Sequence, residues 1–284
     1  MSAATATATA LASGKGHKDE NFPVASVLLK PEHRAPVMAF YRFARAADDV
    51  ADNAAASADE KLALLAAMRA SILGTEDSDA HSVALRATME AHRLSPQHAL
   101  DLLVAFERDC TIDRYANWAA LLDYCRYSAM PVGRYVLDVH GEDRATWAAS
   151  DALCAALQVI NHTQDCGKDY RAIGRVYLPG DVMAAHGATV EDLGQATATP
   201  ALRAVIRDLA ARSGVLLAQS AGFAGAIRDR RLGIEVAIIH RLAASLTARL
   251  KVRDPLSERV HHRASEALGL AALAGATQLV KGRA

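Results

Sequence analysis

Five aspartates stand out by their spacing: Asp48, Asp49 and Asp52 in one segment, Asp165 and Asp169 in another. Residues four apart on an α-helix lie only about 40° apart around its axis, so Asp48 with Asp52, and Asp165 with Asp169, each share a face. Asp49 flanks the first pair. Aspartate is a mediocre helix former that prefers the first turn, where the helix dipole favours negative charge. The first group falls instead late in its helical pattern, where three like charges cost stability. Such a cluster persists if it is exposed or if divalent cations neutralise it. Acidic helix ends are common, and alone this segment reads more readily as a solvated face.

The second segment shifts that balance. Gln158 and Asn161 fall on nearly the same stripe as Asp165 and Asp169, while Leu153, Leu157 and Ile160 lie close by. A polar stripe bordering a core usually lines a cavity, because buried polar atoms need partners. Two carboxylate sets facing each other across a helical bundle would hold Mg²⁺ and, through it, a diphosphate. Mg²⁺ keeps several waters and takes one or two carboxylates plus phosphate oxygens, which suits sparse protein ligation. Metal-bound diphosphate is a good leaving group, and its departure leaves a carbocation that an apolar cavity must shelter from water. Tyr41 and Arg45 precede Asp48 on the same stripe. Arg45 has two readings of equal weight, a grip on a phosphate oxygen or an i,i+4 partner for Asp49.

These groups need helices to hold them, and composition supplies them. Hydrophobic residues make up 51% of the 284, much of it alanine and leucine, and aromatics only 5%. Alanine and leucine are strong helix formers, and no alternating β-branched run or Asn-Gly hairpin signal interrupts them. Helical patterns are predicted over 34–54, from Ser57 through Met68, and over 82–92, 96–111, 118–140, 151–171, 181–186, 190–193, 200–228, 232–251 and 255–280. The expectation is an all-α, single-domain bundle spanning 16–284, with residues 1–15 a disordered Ala/Thr-rich tail.

Other features exclude function classes. Lys+Arg and Asp+Glu each count 32, so no net charge draws the chain to nucleic acid. Cys110, Cys125, Cys154 and Cys166 are scattered and read as reduced thiols rather than zinc ligands or a disulfide framework. No window reaches the run of about 18 apolar residues that a membrane span needs. The expected location is cytoplasmic, with peripheral contact at the inner face of the cytoplasmic membrane left open. His140, His240 and the His261–His262 pair lack metal spacing with the aspartates and read as structural or surface residues. His162 projects about 100° from Asn161 and reads as a supporting neighbour of the site.

Three ordered blocks carry a resemblance to a known family. They are Phe40 through Asp52, Tyr124 through Gly133, and Gln158 through Asp165 continuing by Asp169–Tyr170 to Gly174–Pro179. Over His17 to about Arg259 the chain resembles the squalene/phytoene synthases, head-to-head prenyl synthases with an isoprenoid-synthase-type helical fold and central cavity. The opening Glu20–Ser26, the Asn161–Asp165 variant and Arg253–Arg259 are most similar to the hydroxysqualene synthase branch of hopanoid biosynthesis. That branch implies a lyase that takes presqualene diphosphate, expels diphosphate and lets water capture the rearranged cation. It implies Mg²⁺, no NADPH, and functional coupling to a presqualene diphosphate synthase and a hydroxysqualene reductase.

Carried over by position, the resemblance makes Asp48, Asp49, Asp52, Asp165 and Asp169 the Mg²⁺–diphosphate residues. Arg45, Gln158 and Asn161 would line the same site, and Tyr124 would offer its ring to the cation. Ser128, Ala129, Val132 and Gly133 would wrap the prenyl chain, with Gly133 allowing close helix approach. Phe22 and Tyr41 would stand at the pocket mouth, and Arg175 and Tyr177 would help close the phosphate end. Two departures appear. Gln164 replaces an arginine common before the second motif, which should alter diphosphate handling. Asp19-Glu20-Asn21 replaces a serine-rich lead-in, leaving Lys18 and His17 as local phosphate candidates. Both changes fit a preformed presqualene diphosphate. Sibling presqualene diphosphate, squalene or phytoene synthases, and a non-catalytic helical assembly factor, are the alternatives.

Overall fold

Pro31 opens the first helix, α1 (Pro31–Ala51), at a position where its missing N–H costs nothing, and Glu32 complements the helix dipole. In the computed structural model, which describes residues 28–281, the regular structure is helical throughout. The expected all-α class is the observed one. Lys18, Phe22, His17, the Asp19–Asn21 lead-in and the 1–15 tail lie outside the described residues.

The chain divides into two compact units. One takes residues up to Ile112 together with Asp138–Gly141; the other takes Asp113–Leu137 and everything from Glu142 onward. In the first unit, α1 buries Val37, Phe40, Phe43, Ala47 and Val50. It packs on α2 (Ala58–Leu73), α3 (Ala80–His92) and α4 (Gln97–Asp109). The expected start of α2 is a full capping box. Ser57 Oγ accepts from Glu60 N at 3.3 Å, and Ser57 N donates back to Glu60 Oε2 at 2.8 Å. Arg69 Nη2 clamps α2 to α4 through Glu107 at 2.7 Å.

The second unit is built around α7 (Trp147–Ile173), a 27-residue helix packed on α5 (Trp118–Ser128), α9 (Pro200–Gln219) and α11 (Arg230–Val252). Between α5 and α7 lies α6 (Met130–Val139), and α8 (Gly180–Ala185), α10 (Phe223–Ala226) and α12 (Ala264–Lys281) complete the set. Gly174 ends α7 at φ +70°, a conformation glycine adopts without steric penalty. The turn places Val176 N on Asp113 O at 2.9 Å. Among the described residues no helix is long and apolar enough to cross a membrane.

Four helix expectations need correction. The run 118–140 is two helices, broken at Ala129 (φ −121°, ψ −44°). Pro131 causes this: it lacks an N–H, and its ring clashes with the carbonyl four residues back. The run 200–228 stops at Gln219, where Ser220 turns its hydroxyl onto Leu217 O at 3.0 Å and Gly222 follows. Residues 190–193 belong to a 3-10 turn, Val190–Gly194. The run 255–280 starts only at Ala264, because Asp254 and two arginines hold the preceding loop. Asp254 accepts from Ala198 N at 2.9 Å, Leu256 N at 2.9 Å and Ser257 Oγ at 2.8 Å. Arg253 Nη1 donates to Arg259 O at 2.7 Å, and Arg249 Nη1 to Val260 O at 3.3 Å.

Burial works to raise the Asp254 carboxyl, but hydrogen bonds from Ala198, Leu256 and Ser257 outweigh it and hold it below the usual carboxylate range. A carboxyl depressed in the folded state stabilises above its unfolded value of about 3.9, and that contribution is lost as pH falls through the folded value. Asp254→Ala should therefore cost about 2 kcal/mol at pH 7. Thermal unfolding at pH 7 and pH 3 checks it: the deficit should shrink at the lower pH.

Candidate active site

The acidic end of α1 is laid down by helix geometry. Arg45 lies three residues before Asp48 and four before Asp49, so one guanidinium reaches both carboxylates. Its Nη1 donates to Asp48 Oδ2 at 2.7 Å and its Nη2 to Asp49 Oδ1 at 2.5 Å. The pairing role is thus present, and it takes in Asp48 as well as Asp49. Asp49 is buried, Asp48 keeps 35% of its side chain open, and Asp52 caps the helix exposed to solvent. Tyr41 stands half-buried two turns earlier on the same helix.

Like charges crowd Asp48. Burial, then Asp52, push the Asp48 carboxyl up to about 7; Asp109 and Asp49 add to this, and Arg45 opposes it. Asp109, at the end of α4, is a participant that sequence reading missed, since only packing of α4 on α1 brings it near. Asp48 thus feels three other carboxylates, Asp52, Asp109 and Asp49, with Arg45 acting against them. Clustered carboxylate oxygens are the donor type a hard divalent cation takes.

In the second unit, α7 carries Gln158, Asn161, Asp165 and Asp169, all half-buried, so the predicted polar stripe is real. His261 Nε2 comes within 4.0 Å of Asp165 Oδ1. Nothing in the sequence links residues so far apart, and the surface reading of His261 overlooked this approach. Gln164 is 5% exposed, and neither amide atom has a hydrogen-bond partner among the described residues. It sits about 100° from Asp165 around α7, on the packed side rather than the carboxylate stripe.

An aromatic cluster forms beside that stripe. Tyr124 on α5, buried, lies 5.1 Å from Tyr115 and 5.5 Å from Tyr177 between ring centroids. Tyr177 stacks on His162 at 3.5 Å and 15°, and Tyr124 is 6.1 Å from the same imidazole. Arg175 Nη1 donates to the Tyr177 hydroxyl at 3.1 Å. Gln158 Nε2 meets His162 Nε2 at 3.0 Å. Burial, with Arg175 adding, lowers the imidazole to about 3, so it is neutral at ordinary pH. Tyr124, Gln158, Arg175 and Tyr177 are therefore brought together, with His162 and Tyr115 as members that spacing alone did not single out.

At the α5–α6 break, Ala129 is buried and Ser128 points its hydroxyl inward, while Val132 is 41% exposed. Gly133 permits the close helix approach expected of it. A Cβ there would lie 2.5 Å from Ser150 Oγ and 2.6 Å from Cys154 Sγ. The cysteines are free thiols, with burial pushing Cys125 and Cys166 up to about 12 and Cys154 up to about 11.

Comparison with known proteins gives the family of the chain. The squalene/phytoene synthase family model matches residues 15–266. A hydroxysqualene synthase of Zymomonas mobilis subsp. mobilis is 58% identical over 96% of this chain and 92% of its own. One from Rhodopseudomonas palustris is 52% identical over 89% of this chain and 87% of its own. Among solved structures, a squalene synthase of Alicyclobacillus acidocaldarius superposes with TM-score 0.72 at 29% identity, covering 86% of this chain and 91% of that one. A dehydrosqualene synthase with bound ligand gives 0.79 at 20% identity, over 91% and 92% of the two chains, which shows the same all-α fold. The chain belongs to the squalene/phytoene synthase family.

Proposed function

We propose that this chain ionises presqualene diphosphate and adds water to the rearranged cation, giving hydroxysqualene and diphosphate. The observation that carries this reading is the 58% identity, over nearly the whole chain, to a relative named hydroxysqualene synthase. Two others with that name are 51–52% identical, whereas the phytoene synthases reach only 28–31%. The condensing siblings and the assembly-factor reading have no comparable support.

Asp48, Asp49, Asp52, Asp165 and Asp169 hold Mg²⁺ in this proposal, and Arg45, Gln158 and Asn161 bind the diphosphate. Bound Mg²⁺ would supply charge neutralisation to the leaving diphosphate. Around the departing carbon, Tyr124 presents a ring face to positive charge, within the ring cluster it forms with Tyr115 and Tyr177. Ser128, Ala129, Val132 and Gly133 line the prenyl chain, so the exposed Val132 would be covered by substrate. Tyr41 guards the pocket mouth. Arg175, through its bond to the Tyr177 hydroxyl, fixes the ring that closes the phosphate end.

Presqualene diphosphate with Mg²⁺, and no NADPH, tests the reading when products are identified by mass spectrometry. Hydroxysqualene is expected. Squalene, or no turnover, refutes it, and so does abundant C30 product from farnesyl diphosphate alone.

A further inference from the structure

Water capture produces a proton that the aspartates are poorly placed to take, because the proposed function commits them to metal and diphosphate. We propose that His162 accepts this proton as the water oxygen bonds to the carbocation, with Gln158 as the positioning residue that holds the imidazole. This inference rests on the hydroxysqualene-forming reading.

Three observations converge on His162. First, it lies in the ring cluster around Tyr124, stacked 3.5 Å from Tyr177 and 6.1 Å from Tyr124. Second, one ring nitrogen is already engaged: Nε2 meets the Gln158 amide at 3.0 Å. As placed, the Gln158 amide nitrogen faces Nε2; exchanging the amide's oxygen and nitrogen, which are alike in shape, lets the oxygen accept from Nε2–H and leaves the Nδ1 lone pair to take a proton. No partner for Nδ1 occurs among the described residues. Third, its companions are weak acceptors. Tyr115, Tyr124 and Tyr177 are phenols, and Arg175 has no acceptor at all.

The step balances. A water lone pair forms the C–O bond, giving a protonated alcohol. Its O–H bond then breaks, the pair stays on oxygen, and the proton forms an N–H bond at Nδ1. The imidazolium returns the proton to solvent as the products leave. Burial and Arg175 suit the ring to this task, because an imidazole that stays neutral before turnover places no positive charge beside the cation. It remains far more basic than a protonated alcohol, so the transfer runs downhill. The same base discourages reversal, since it removes the proton that would let water leave again.

Two variants separate this role from packing. His162→Phe keeps a flat ring against Tyr177 and removes both nitrogens; His162→Gln keeps a polar group but no useful base. Each is incubated with presqualene diphosphate and Mg²⁺ in ¹⁸O-water, following diphosphate release and the C30 products separately. Both variants should release diphosphate within about tenfold of the parent rate. The labelled alcohol should fall at least about tenfold as a share of product, replaced by hydrocarbons formed through loss of a carbon-bound proton. An unchanged alcohol share in His162→Phe overturns the proposal. Diphosphate release collapsing with the alcohol in both variants, or both failing to fold, also overturns it, because His162 then serves ionisation or structure. The parent protein is read first: if it makes no alcohol, the functional reading itself fails.

Discussion

Asp48→Asn should lower the rate of diphosphate release by at least about 100-fold and yet make the metal-free protein more stable at pH 8. The carboxyl is pushed up to about 7 by burial and Asp52, against an unfolded value of about 3.9. A carboxyl raised in the folded state binds its proton more tightly there. Stability therefore declines as pH climbs through the window from about 4 to about 7. Asparagine cannot ionise, so the variant escapes that decline while still accepting a hydrogen bond from Arg45. Because 35% of the Asp48 side chain is open to solvent, screening trims the gain to about 1–2 kcal/mol. Thermal unfolding in a chelator at pH 5 and pH 8, beside turnover with Mg²⁺, checks both halves. A variant no more stable than its parent at pH 8 would remove the claim that these acids strain the apo fold. Retained turnover would remove Asp48 from the chemistry.

That trade-off has a physical origin. The end of α1 holds carboxylates where the helix dipole disfavours them, with Asp109 contributed by α4. A sequence selected only for stability would place lysine or alanine there. Added Mg²⁺ should reverse the order, stabilising the parent more than Asp48→Asn, since ligand bound only by the folded state raises stability by mass action.

Much of this was legible in the chain because it is local. Four-residue spacing put Asp48 with Asp52 and Asp165 with Asp169 on shared helix faces, and Ser57–Glu60 announced its capping box. The misread helix ends were local too, but depended on competition. Pro131 outweighed an unbroken apolar pattern, and Asp254 with Arg249 and Arg253 tied down a loop where Pro255 marks the predicted start of a helix. What stayed hidden required tertiary packing. His261 reaches Asp165 across nearly a hundred residues, Asp109 reaches Asp48 from another helix, and Tyr115 joins Tyr124 and Tyr177 only when the turn after Gly174 folds back. His162 was visible as a neighbour of the stripe, but its stacking on Tyr177 was not. Gln164 is a different case: the sequence marked it as a missing positive charge beside Asp165, and α7 buries its side chain on the packed side.

Gly133→Ala should destabilise the protein, although alanine is the better helix former by about 1 kcal/mol. The added methyl would sit 2.5 Å from Ser150 Oγ and 2.6 Å from Cys154 Sγ, well inside contact distance. The helices cannot simply part, because Arg134 on α6 forks onto Asp151 of α7 at 2.8 and 2.5 Å and lies 4.8 Å over the Trp147 ring. Overpacking of this kind costs about 1–3 kcal/mol and should exceed the propensity gain. Both obstacles are side-chain tips, so removing them provides the decisive control. Ser150→Ala leaves only a Cβ, at 3.9 Å, and Cys154→Ala removes the sulfur. In the parent these two substitutions open space and should destabilise; combined with Gly133→Ala they should be nearly neutral. A double-mutant cycle by urea unfolding should thus give a favourable coupling of about 1–2 kcal/mol. Additive effects would mean that the α6–α7 contact yields easily, and that Gly133 is not what sets the spacing. If the coupling holds, hydroxysqualene output should follow it, falling in Gly133→Ala and recovering in the triple variant. Val132 on α6 and Gln158 on α7 keep their mutual placement only while the two helices stay at this distance.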